Sequence, residues 1–298
     1  MEFASIKVWQ RNHPTGEISQ AMIPYPNINP EIVSFGPFNL PWLGAVGPIS
    51  IRWYGVMYVV GFVMSYVFIQ KQKRSKEVGL VGTVAQDLIF YLAVGLIIGA
   101  RLGYVVFYEF NNYGYYLKNP LEIMATWHGG MSFHGGLIGA VLAAWIFSRR
   151  RRVPFGVVVD STTVTVPIGL GFGRIGNFIN AELLGLPSNV PWAMIFPTGG
   201  PVPRHPTQLY EALLEGLVLF VILWNLRRKP FRDGMMLVFF LFFYGLFRFI
   251  LEFFKEPDPQ IGYLLGYFTM GHILCFFMIV AAVILGLYLN RSAPAARA

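Results

Sequence analysis

Gly173-Arg174-Ile175-Gly176-Asn177-Phe178-Ile179-Asn180-Ala181-Glu182 follows directly on an apolar run over 155–172. A run of that length is close to the roughly 20 residues that cross a bilayer. The stretch therefore reads as the end of a membrane helix, and it carries an arginine, two asparagines and a glutamate. Polar residues at membrane depth are expensive and are kept for function. Here four arrive together, among glycines that let a ligand approach the backbone.

Outward from this stretch the chain keeps the same character. Of 298 residues, 55% are hydrophobic and 13% charged, against roughly 25% charged in soluble domains. Mean hydropathy is +0.54. One polytopic membrane domain is expected. The formal net charge of +8 would point to nucleic acid if the basic residues formed a face. Instead, four of the 23 Lys and Arg lie in Lys71–Lys76, four in Arg149–Arg152, four in Arg227–Arg232 and two after residue 290. Short basic clusters beside apolar segments mark cytoplasmic loops, so no nucleic-acid partner is expected. Residues 1–51 lack the basic and apolar regions of a signal peptide. They are expected as an arm outside the membrane, with 1–21 as an extension and Met22 as an alternative start.

Seven apolar segments are expected to span as helices, at about 52–70, 85–108, 134–148, 155–172, 209–226, 234–252 and 269–290, within an all-α membrane domain over 52–290. Basic clusters follow the first, third and fifth, which puts the N-terminus outside and the tail 291–298 in the cytoplasm. Loops 109–133, 173–208 and 253–268 then face outward, with one, two and one basic residues. No internal repeat is evident, which disfavours a repeat-built transporter.

Few ionisable residues remain within or near the spans: Arg52, Arg101, His134, Asp160, Arg174, Glu182, Glu211, Glu215, Arg248 and Glu252. Some could pair as structural bridges. Tyr244, Arg248 and Glu252 recur every four residues and line one face of the sixth helix. His134 opens the third helix, and Arg204-His205 precede the fifth. With Arg174, Asn177 and Glu182, these residues are expected at one outward membrane depth.

Familiar motifs do not account for them. Gly171-Phe172-Gly173-Arg174-Ile175-Gly176 matches a dinucleotide loop in spacing, but a membrane segment precedes it instead of a βαβ unit. His134 and His205 lack the spacing of a zinc pair. Ser132 lacks a nucleophile elbow. The sole cysteine, Cys275, lies in the last apolar segment and reads as a buried hydrophobe. His272 and His13 read as structural, without polar companions. No metal or cofactor is expected. Two arginines facing outward at membrane depth suit a phosphate, which guanidinium binds bidentately, and a phosphate held there belongs to a phospholipid. A nearby histidine can accept a proton at neutral pH.

The blocks Gly130-Met131-Ser132-Phe133-His134-Gly135-Gly136-Leu137-Ile138-Gly139, Gly173 to Glu182, Arg204-His205-Pro206-Thr207-Gln208-Leu209-Tyr210-Glu211, and Tyr244-Gly245-Leu246-Phe247-Arg248-Phe249 through Glu252-Phe253-Phe254 resemble, in order, the prolipoprotein diacylglyceryl transferase family. The likeness runs from about Pro24 to Leu289. It implies a bacterial inner-membrane enzyme with seven spans, its site toward the periplasm. Such an enzyme moves the diacylglyceryl group of phosphatidylglycerol onto the lipobox cysteine of a prolipoprotein, without a cofactor and as a monomer.

The resemblance implies a phosphatidylglycerol-binding role for Arg174, with Asn177, Glu182, Gly185 and Glu252 beside it. It implies catalytic roles for His134, Arg248, Tyr54 and Tyr244. His134 is the first choice of base, and Arg248 either stabilises the leaving phosphate or helps activate the thiol. Lys255 stands where the family often has arginine. A transporter or lipid flippase with an outward anion site is the alternative. It would need polar residues toward the cytoplasm, where Asp160 and Glu215 are the candidates.

Overall fold

Six helices in the computed structural model are long and apolar enough to cross a membrane. They are α1 (Trp53–Lys71), α2 (Thr83–Phe107), the interrupted pair α4 (Phe155–Thr163) and α5 (Val166–Ile179), α6 (Thr207–Leu226), α7 (Met235–Glu252) and α8 (Met270–Arg291). The third expected segment also folds as a helix, α3 (Phe133–Arg151). It does not join the six, because His134 at one end and three arginines in its last turn make it less apolar. The structure describes residues 23–40, 44–46, 48–109, 112–124, 129–257, 262–264 and 266–291. The expected extension 1–21, the alternative start at Met22 and tail residues 292–298 lie outside the described residues.

The fourth span extends further than expected. Pro167 falls in the first turn of α5, where its missing N–H costs nothing. The helix then runs through Arg174 and Asn177 to Ile179, so both residues stand on a helix rather than in a loop. Beyond it the chain makes a Schellman turn: Glu182 N–H donates to Asn177 O at 3.1 Å and Ala181 N–H to Phe178 O at 2.9 Å.

The spans are helical, but short strands form outside them: β1 (Ile23–Pro24), β2 (Glu31–Phe35), β3 (Phe38–Leu40), β4 (Gly44–Val46), β5 (Ile49–Arg52), β6 (Met194–Ile195) and β7 (Pro203–Arg204). β2 pairs antiparallel with β5, and β3 with β4. β1 runs parallel to β6, which pairs antiparallel with β7. Tyr25, just after β1, donates its hydroxyl to Phe178 O at 2.7 Å and Ile179 O at 3.0 Å. Both are last-turn carbonyls of α5; Phe178 O also accepts from Ala181 N–H, whereas Ile179 O is one of those a helix end leaves without a backbone donor. The arm thus ties down the end of the helix that carries Arg174.

The chain divides into two compact units, Phe62–Thr163 and Met1–Gly61 with Val164–Ala298. In the first, α2 and α3 meet through small residues. A Cβ on Gly99 would lie 2.8 Å from the Cα of Gly139, and one on Gly103 would lie 2.7 Å from that of Gly135. Lipid supplies no hydrophobic drive between helices, so close backbone contact is what holds such pairs. Gly139→Leu is expected to lower stability by about 1–3 kcal/mol through overpacking. Thermal unfolding in detergent checks this, and an unchanged midpoint would show the contact to be dispensable. In the second unit, Val164, Leu219, Leu223 and Met236 form one apolar core. Phe178, Ala181, Met194 and Phe196 form another, under Tyr25.

Candidate active site

In the second unit, α6 changes pitch. Residues Ala212–Val218 form a π-helical segment between two α-helical turns, a distortion often found at functional sites. Glu211 and Glu215 flank its start, and both are buried. Two arginines from other helices meet them. Arg174 of α5 places Nε 2.9 Å from Glu211 Oε2 and 3.9 Å from Glu215 Oε2. Arg248 of α7 bonds Glu211 through Nη1, which also lies 3.5 Å from Glu215 Oε1. Its Nη2 lies 3.2 Å from Glu252 Oε2, one turn along the same helix.

Three carboxylates and two guanidinium groups are thus interleaved in a largely desolvated place. Isolated charges could not be kept there, whereas mutually paired ones can. The expected stripe on α7 exists, with Tyr244 stacked on Phe240 at 5.4 Å. Glu215, on which an inward transport path would have rested, belongs to this cluster instead. Both were among the ionisable residues singled out in the sequence, but neither was assigned to this site. Their i, i+4 spacing was visible, but nothing marked the face that would meet the arginines.

A polar chain runs from Arg174 to the end of its helix. Nη1 of Arg174 lies 3.4 Å from Asn177 Oδ1, and Asn177 Nδ2 donates to Glu182 Oε1 at 2.7 Å. Asn180 Nδ2 approaches the same oxygen at 3.3 Å. Glu182 is turned back by its neighbours, since Ala181 and Leu183 hold φ of 53° and 58°, a region non-glycine residues enter rarely. Gln208 Nε2 donates to the Glu182 carbonyl at 2.6 Å. Tyr54 of α1 packs against Gly176, where an added methyl would stand 2.7 Å from its ring. Its hydroxyl is 3.3 Å from that of Tyr58.

Gly185 is buried in a strand-like bridge to Lys255. A Cβ there would stand 2.8 Å from His205 Cβ, so it sets loop geometry by close approach. Arg204 is buried and bonds Gly185 O at 3.0 Å and Glu256 at 2.8 Å. Lys255 loses proton affinity, first through burial and then through the charge of Arg248.

His205 faces Tyr210. Trp192 Nε1 donates to the Tyr210 hydroxyl at 2.6 Å, which leaves that hydroxyl's proton for His205 Nδ1 at 3.1 Å. Burial pushes the His205 pKa down from its ordinary value of 6.5. The folded state thus binds this proton less readily than the unfolded one, and stability rises with pH through the region below about 6.5. The unfolding midpoint is expected to drop between pH 7.5 and 5.5, and His205→Gln to shrink that drop. An equal drop in both proteins would remove His205 as the cause.

In the first unit, His134 opens α3. Ser132 caps the helix by accepting from Gly135 N at 3.1 Å, and His134 itself is exposed. Arg101 of α2 ties down described residues that precede α3. Its buried guanidinium donates to the carbonyls of Ile123 (3.1 Å), Glu122 (2.7 Å), Gly129 (2.5 Å) and Gly130 (3.0 Å). Arg101 therefore serves as a backbone clamp.

Among the described residues, no group of three or more His, Cys, Asp or Glu is arranged to hold a metal ion. Cys275 is buried, as expected. His272 departs from expectation: it contacts Thr269 through Nδ1 at 3.1 Å, and Thr269 in turn bonds Glu252.

Membrane-length helices that bury an arginine–glutamate cluster define a multi-pass membrane protein. Comparison with known proteins makes the class specific. The family model for prolipoprotein diacylglyceryl transferase matches residues 41–288. A protein of Desulfotalea psychrophila named phosphatidylglycerol–prolipoprotein diacylglyceryl transferase is 49% identical over 251 residues, 82% of this chain and 91% of its own. Proteins of the same name from Geobacter sulfurreducens and Pseudomonas aeruginosa are 47% and 46% identical, covering 83% and 91% of this chain and 94% and 97% of their own. The chain belongs to the prolipoprotein diacylglyceryl transferase family.

Proposed function

We propose that this chain transfers the diacylglyceryl group of phosphatidylglycerol to the thiol of a prolipoprotein's lipobox cysteine. The thiol sulfur attacks the glyceryl carbon bound to the phosphate oxygen. That C–O bond breaks with its electron pair on the oxygen, a C–S thioether forms, and glycerol phosphate leaves. The thiol proton goes to a base, because the thiolate is the nucleophile.

The observation that carries this reading is the pair Arg174 and Arg248 converging from two membrane helices on the same buried carboxylates. Arg174 has spare capacity. Its Nη2 makes no bond among the described residues, and its side chain is 18% exposed. A lipid phosphate can take that edge while Glu211 holds the other. Asn177 and Glu182 steady Arg174, Gly185 shapes the adjoining loop, and Glu252 braces Arg248. Arg248 serves the charge that gathers on the leaving phosphate or the activation of the thiol. Tyr54 and Tyr244 orient substrate oxygens, and His134 is the base.

In the same reading, α3 is a seventh span, which puts the basic clusters in the cytoplasm, the N-terminus outside and the site toward the periplasm of a bacterial inner membrane. The enzyme acts as a monomer.

Purified protein in detergent, given phosphatidylglycerol and a lipobox peptide, is expected to add a diacylglyceryl mass to the peptide cysteine. No thioether product across lipid and pH conditions would overturn the reading. Arg174→Lys is expected to weaken phosphatidylglycerol binding about tenfold, roughly 1.4 kcal/mol, because an ammonium cannot reproduce the fork. An unchanged KM for the lipid would count against a phosphate role for Arg174.

A further inference from the structure

Glu252 is held from both sides. Arg248 Nη2 meets Oε2 at 3.2 Å, and the Thr269 hydroxyl donates to Oε1 at 2.9 Å. The carboxylate also lies against the backbone of Gly271, where a Cβ would stand 2.5 Å from its carboxyl carbon. Thr269 immediately precedes α8, and His272 is the third residue of that helix.

In a capping box, the residue at this third position reaches back to the N–H of the cap residue. His272 does so here, since Thr269 N–H donates to its Nδ1 at 3.1 Å. Nδ1 is therefore an acceptor, and the ring proton sits on Nε2. The single hydroxyl proton of Thr269 goes to the carboxylate, which cannot donate one when ionised. Phe249, Phe253 and Phe268 wall the ring at centroid distances of 5.0, 4.3 and 5.4 Å. The imidazole is 2% exposed, so it has little room to turn away.

We propose that Thr269 and His272 are positioning residues for Arg248: His272 fixes Thr269, and the Thr269 hydroxyl orients Glu252, which holds the Nη2 edge of the arginine. The inference rests on the proposed role of Arg248 in transfer. It assigns this helix start to function, where a buried histidine would otherwise be only packing.

The test is steady-state transfer kinetics on the full-length protein in detergent, with phosphatidylglycerol and a lipobox peptide. Thr269→Val is expected to lower kcat about 10- to 100-fold, the scale of a lost hydrogen bond to a charged group. KM for the lipid should stay within about twofold. Thr269→Ser, which keeps the hydroxyl, is expected to recover most of kcat. His272→Gln keeps an acceptor for the Thr269 N–H and should also recover, whereas His272→Leu should resemble Thr269→Val. If Thr269→Val fails to fold, Thr269→Ala is the second hydroxyl-free variant.

Wild-type kcat in either hydroxyl-free variant would overturn the proposal. So would equal loss in Thr269→Ser and Thr269→Val, or a change confined to KM. An inactive wild-type protein would instead sink the transferase reading. If transfer survives Arg248→Ala, the role of Arg248 fails, and this inference with it.

Discussion

Arg248→Ala is expected to lower diacylglyceryl transfer by about 10³-fold or more and to destabilise the protein at the same time. The first effect follows from the proposed role of Arg248: removing a donor to developing negative charge typically costs 10²–10³ in rate. Here the same side chain also contacts three carboxylates. The second effect follows from what is left behind. Glu211 and Glu215 are buried and would have only Arg174 between them. Breaking a buried pair on one side costs roughly 3–5 kcal/mol.

A loss of activity in this variant alone is therefore ambiguous. The double variant Arg248→Ala with Glu215→Gln separates the two effects. It removes one orphaned charge, so thermal stability should recover in part while transfer stays lost. Recovery of transfer along with stability would show that Arg248 is structural and that the chemistry lies elsewhere.

The cluster also shows what the sequence could and could not convey. Its arginines were legible because a lone charge in an apolar run is costly, whatever its neighbours. The periodic stripe Tyr244, Arg248 and Glu252 pointed to one helix face for the same reason. Glu215 was assigned to a transport path because its sequence position does not show which helix face meets the arginines, and that depends on helix pitch. The π segment over Ala212–Val218 left no mark in composition.

β1, β6 and β7 are two residues long each, too short for alternation to register. The end of α5 was set too early because the polar residues after 172 resembled a loop, and only the Schellman turn at Ala181 shows where the helix stops. His272 seemed isolated because its companions, Thr269 and Glu252, are brought together by the meeting of α7 and α8. Arg101 was on the list of costly charges, but its partners are carbonyls, which every residue has and no sequence distinguishes.

His134→Ala is expected to reduce transfer about 10²- to 10⁴-fold, the usual contribution of a positioned general base, while leaving stability within about 0.5 kcal/mol. The contrast with Arg248 comes from surroundings. His134 stands in the first turn of α3 with its ring exposed. The cap that starts this helix belongs to Ser132, and Arg101 holds the carbonyls of Gly129 and Gly130 before it. Replacing the imidazole removes neither support and opens no cavity. A thiol of ordinary pKa near 8.5 is mostly protonated at neutral pH, so a lost base should be partly offset by raising the pH. His134→Ala should thus gain more from a shift to pH 9 than the wild-type enzyme does. If transfer by the variant stays depressed by the same factor at every pH, His134 does not take the thiol proton, and its part in the reaction is to orient a substrate.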